Sequence, residues 1–174
     1  MMKMFVMVLA ACALVAGCGD DDNTTGPSAN VPPIFTAQLM PSNEVPAVTN
    51  AESTARGAVQ ITLDVTRNSS NAITAATAGF YFQATGVAAG TPIIGAHIHP
   101  GVAGTNGPVI VNTGLTAAAP LIVPSGTVEF TVSGIAVDPA LAQAILNNPS
   151  AYYFNIHSPM NPGGFARGQL VQTR

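Results

Sequence analysis

Residues 56–65 read RGAVQITLDV, and no other stretch limits the fold as sharply. Val59, Ile61, Leu63 and Val65 fall on one side of an extended backbone, with Gln60, Thr62 and Asp64 on the other. Successive strand side chains point to opposite faces, so the pattern describes a strand with one buried face and one wet face. β-like runs recur at residues 34–40 (IFTAQLM), 73–85, 96–99 (AHIH), 109–112, 127–132, 152–157 (YYFNIH) and 165–171, separated by turn residues such as PSNEVP and NSSN. About eight strands at this spacing predict an all-β chain, a Greek-key-like antiparallel β-sandwich or barrel. One helix interrupts the series near 139–147. Asp138 is placed to cap it, Pro139 suits its first position, and Leu141, Ile145 and Leu146 form an apolar stripe.

The beginning of the chain follows different rules. Lys3 precedes a short apolar run that closes on Leu14-Val15-Ala16-Gly17-Cys18, which resembles a bacterial lipobox. Residues 1–17 are expected to be a lipoprotein signal peptide and Cys18 the lipidated first residue of the mature chain. Removal of Cys12 leaves one cysteine, so no internal disulfide is expected. Residues 18–33 are acidic, polar and rich in turn formers, a flexible tether. Asp20-Asp21-Asp22 within it lacks the spaced oxygen ligands of a calcium loop and is expected to be solvated. The folded domain then occupies 34–174. The expected location is the bacterial cell envelope, periplasmic or cell-surface, with the lipid on Cys18 anchoring the chain to a membrane. After cleavage four arginines face eight acids, and no basic cluster stands out. A nucleic-acid partner is therefore excluded, because phosphate backbones require a basic surface. An extracellular protein or polymer is the remaining class of partner.

Strand alternation also sorts the residues that carry chemistry. In GAHIHPG, residues 95–101, His97 and His99 share one face while Ile98 points to the other. In YYFNIH, Tyr152, Phe154 and Ile156 make an apolar face, which leaves Tyr153, Asn155 and His157 opposite. All three histidines of the chain thus look away from the core. If their strands are neighbours, three imidazoles converge in a set able to bind copper or zinc. The alternative is that they hydrogen-bond to one another and to loop backbone, since no nearby acid orients the rings; Asp64, Glu129 and Asp138 are distant in sequence. In the following segment, PGVAGTNGPVIV, Gly101, Gly104 and Gly107 permit positive φ, and Asn106-Gly107 reads as a tight turn. Near the end, Phe165, Arg167 and Gln169 fall on one face of the last strand, with Arg167 paired to a carboxylate, Glu44 or Glu52. Asn155 and Arg167 are expected to be structural or partner contacts. Nucleophile elbows, free thiols and paired carboxylates are not apparent, so no catalytic residue is assigned.

Four blocks, in order, carry a family resemblance: EVP at 44–46, AHIHPGVAGTNGPV at 96–109, YYFNIH at 152–157 and RGQL at 167–170. Together they resemble the CHRD (chordin-type) domain over about residues 35–172. That resemblance implies a single extracellular module whose bacterial members are lipid-anchored or secreted. In animal chordin such domains belong to a growth-factor antagonist, a partner not carried over to this chain. The family's usual PxGEIRGQ is here PGGFARGQ, which removes a local acid beside Arg167. The chain is also similar, more weakly, to copper–zinc superoxide dismutases. By position His97, His99 and His157 match three copper ligands, and Arg167 the substrate-guiding arginine. The bridging histidine and the zinc ligands have no counterpart. The expected function is a lipid-anchored binding or structural module; the alternative is a copper- or zinc-binding protein, redox-active when it holds copper.

Overall fold

The computed structural model describes residues 31–174; the segment expected to be a signal peptide, Cys18 and nearly all of the expected tether lie outside the described residues. The first strands are β1 (Ile34–Leu39), β2 (Arg56–Arg67), β3 (Ile73–Thr85), β4 (Pro92–Ile93), β5 (Gly95–Pro100) and β6 (Val111–Asn112). They are followed by β7 (Leu121–Ile122), β8 (Thr127–Val137), helix α1 (Pro139–Asn147), β9 (Tyr152–His157), β10 (Ala166–Gln169) and β11 (Val171–Gln172). One sheet has the order β11-β1-β2-β3-β8 and the second β10-β9-β5-β6, while β4 and β7 form a small ribbon. Every described pairing is antiparallel. This is an all-β sandwich with one short helix. At one edge a bridge between Met40 and Arg167 links the sheets, a local barrel-like closure.

The alternation of β2 is realised as expected. Val59, Ile61 and Leu63 are buried, Val65 is half-buried, and Gln60 and Asp64 face solvent. Between the sheets the core is aromatic. Phe80 and Phe82 of β3 meet Phe154 of β9 at ring separations of 5.9 and 6.0 Å. Ile98, Ile156 and Ala96 fill the same layer from the second sheet. Helix α1 begins as the residues dictate, with the Asp138 carboxylate accepting from the backbone N–H groups of Ala140 and Leu141. Ile145 is its buried anchor, joined by Ala142, while Leu141 and Leu146 are only half-buried.

Two expectations are corrected. The final run is broken between β10 and β11, and Phe165 precedes the strand, joining the hydrophobic core instead of sharing the Arg167 face. Gly107 has no positive φ; it is required because a Cβ there would collide with the Pro100 carbonyl.

Candidate functional site

The site lies on the face of the second sheet that points away from the sandwich core. Register aligns it in rows: Asn112, His97, Asn155 and Arg167 stand side by side across β6, β5, β9 and β10. The next row holds His99, Tyr153 and Gln169, and His157 stands opposite Gly95. Alternation alone places all of these residues on one face. Loops then cover it. Tyr153, Asn155 and Arg167 are no more than 2 % exposed, His99 is 5 % and His157 7 % exposed, and His97 is half-buried. The outer face of the sheet is thus a second, polar interior.

Buried polar groups need partners, and these are provided largely by backbone. The His99 Nδ1 lies 3.0 Å from the carbonyl of Gly107, and the His157 Nδ1 3.0 Å from that of Pro162. A carbonyl only accepts, so each Nδ1 carries the proton and each Nε2 is left with a lone pair. His97 Nδ1 is 3.0 Å from His157 Nε2. His99 Nε2 is buried and has no hydrogen-bond partner among the described residues. One nitrogen from each of His97, His99 and His157 falls within 4.8 Å of the other two. With metal–nitrogen bonds near 2 Å, closing such a set on one ion takes side-chain shifts of about 1 Å. The orienting groups are carbonyls rather than acids. Asp64 and Glu129 lie at the exposed face of the other sheet, and Asp138 caps α1.

Gly95 makes room for the cluster. A Cβ there would come within 2.7 Å of the His97 ring and 3.3 Å of the His157 ring. Burial keeps the imidazoles neutral: it is the main cause that brings His97 down to about 4, with the neighbouring His157 and His99 adding to the effect. His99 and His157 are lowered by burial too, against the opposing pull of the carbonyls they donate to.

Beside the histidines sits a charged clamp. Arg167 Nε donates to the Asn43 carbonyl at 2.6 Å and lies 3.6 Å from the Glu44 carboxylate. Its Nη1 donates to the Thr105 carbonyl and to Asn106 Oδ1, both at 3.0 Å. The guanidinium also lies 4.5 Å from the Tyr153 ring centre, and His99 stacks on the same ring at 4.9 Å. One arginine therefore ties the segment around Glu44, the loop at 101–108 and the histidine face together. Burial raises the Glu44 carboxyl to about 7, while Arg167, and then the Asn155 side chain, pull it down. Glu44 is the partner that the sequence offered alongside Glu52. Glu52 instead accepts from the Ser158 hydroxyl at 2.7 Å and from the Asn161 amide, fastening the loop that carries Pro162. That latch and the space left at Gly95 escaped sequence reading, although GAHIHPG contains the glycine in plain view.

Each family block now has a place: EVP supplies Glu44, AHIHPG the two histidines, YYFNIH the third histidine with Asn155, and RGQL the clamp. The family model for the CHRD domain matches residues 35–170. The chain belongs to the CHRD domain family. Such a domain is a binding or structural module, and here its family-defining blocks converge on one buried polar layer. No curated protein and no solved structure shows significant similarity to the chain, and the dismutase likeness gains no support.

Proposed function

We propose that this CHRD domain is a metal-binding module that holds one copper or zinc ion on His97, His99 and His157 at the cell envelope, tethered through lipid on Cys18. The observation that carries the reading is the buried, unpartnered Nε2 of His99, in a cluster whose other orienting bonds are already made. An unpaired buried nitrogen costs free energy unless something occupies its lone pair. Metal-binding histidines are characteristically oriented through their second nitrogen, as His99 and His157 are here. Bound copper would supply one-electron chemistry, whereas zinc would leave the site redox-silent. The protein's own residues keep the imidazoles unprotonated, fix the ring orientations and exclude water from all but the His97 side.

The test is metal analysis of the full chain purified without a histidine tag and exposed separately to copper and zinc. One tightly held equivalent, lost in the triple variant His97→Ala, His99→Ala, His157→Ala, is the expected result. Absence of stoichiometric metal from the folded wild-type protein refutes the reading and leaves the histidines as fasteners of the Gly107 and Pro162 loops.

A further inference from the structure

A further side chain, Asn155, aims its amide at the histidine cluster. Asn155 is 1 % exposed on the central strand β9, flanked by His97 on β5 and Arg167 on β10. Its amide orientation follows from its surroundings. Nδ2 donates to the Gly163 carbonyl at 3.3 Å, and the Glu44 carboxylate lies on the same side: a Cβ at Gly164 would touch both Nδ2 and Glu44 Oε1. Two acceptors there require the NH2 group, so Oδ1 must face the histidines.

Oδ1 lies 2.8 Å from His157 Nε2. The other nitrogen of that ring faces the Pro162 carbonyl at 3.0 Å. A neutral imidazole has a single N–H, so it satisfies only one of these two oxygens. With the proton on Nδ1, the Nε2 lone pair, which His97 Nδ1 also approaches at 3.0 Å, lies against the amide oxygen in a buried site. A positive centre shared by Asn155 Oδ1 and His157 Nε2 removes the conflict, and the lone pair of His99 Nε2 lies in the same cluster.

We infer that Asn155 Oδ1 is the fourth donor of the metal site, completing a set of three imidazole nitrogens and one amide oxygen. The inference rests on the metal reading above. Amide oxygens serve copper as weak axial ligands, and zinc takes oxygen readily at similar distance. Asn155 would then both bind the ion and, through Nδ2, connect it to the Glu44–Arg167 clamp.

The experiment compares the full wild-type chain with Asn155→Ala and Asn155→Asp, using Zn(II) for affinity and Co(II) for the visible ligand-field spectrum. Asn155→Ala should weaken Zn(II) binding by about tenfold or more and should shift the Co(II) bands, because an oxygen donor is lost. Asn155→Asp keeps the shape and an oxygen, so it should tighten Zn(II) binding and move the bands again, as expected for carboxylate coordination. It also decides the matter if Asn155→Ala fails to fold. Co(II) spectra identical to wild type in the folded variants overturn the inference even if affinity falls, since Asn155 would then only position a histidine. A wild-type chain that takes up no metal overturns the proposed function itself, an outcome read before any variant is made.

Discussion

Gly95 shows how much of the site depends on a missing side chain. The space its Cβ would fill is occupied by the rings of His97 and His157. Gly95→Ala should leave the sandwich folded yet displace the imidazoles, lowering copper or zinc affinity by about tenfold or more; titration of the purified variant checks this. Arg167 works in the opposite sense, through what it holds. Removing it leaves Glu44 buried opposite nothing and frees three carbonyl or amide oxygens. Breaking a buried pair costs about 3–5 kcal/mol, so Arg167→Ala should lower the denaturation midpoint by a corresponding amount. Arg167→Lys should restore little, because an ammonium cannot reproduce the forked contacts. The Arg167–Glu44 pairing was half legible in the sequence. Charge left two candidate acids, and only the folded chain, which commits Glu52 to Ser158 and Asn161, distinguishes them.

At the level of elements, β9 is the most heavily engaged. Its core side inserts Phe154 between Phe80 and Phe82, and its other side carries Tyr153, Asn155 and His157. Phe154→Ala should therefore cost about 3–5 kcal/mol, measured by chemical denaturation. Helix α1 is a contrast. Asp138→Ala removes an exposed cap worth about 1 kcal/mol and should leave metal binding untouched. Both elements were readable from the sequence because period-two alternation and capping chemistry are local signals. The β4–β7 ribbon was not, since two-residue pairings such as Ile93 with Leu121 leave no periodicity to detect. Nor was the burial of the histidine face. Alternation says which way a side chain points, but not whether loops distant in sequence will fold over it.

For the whole molecule, the buried titratable groups set opposing pH dependences. The three histidines have folded pKa values below the unfolded value, His97 near 4. The unfolded chain binds more protons below the ordinary imidazole range, so acidification through about pH 6.5 toward 4 destabilises the metal-free fold. Glu44, raised to about 7, acts in reverse: its contribution is fully present at low pH and is lost as pH rises from its ordinary range to 7. With three groups against one, thermal melts of metal-free protein should show lower midpoints at pH 5 than at pH 7. The Arg167 clamp has a further consequence for when the site exists at all. Its contacts reach back from position 167 to Asn43, a separation of 124 residues, and to Thr105, a separation of 62. Contacts so distant along the chain close long loops, and the entropy of that closure makes them slow to form. A chain stopped just before β10 retains all three histidines but lacks the residue that fastens the Glu44 segment and the 101–108 loop over them. On the metal reading proposed above, competence to hold an ion is thereby acquired only when β10 has joined the second sheet.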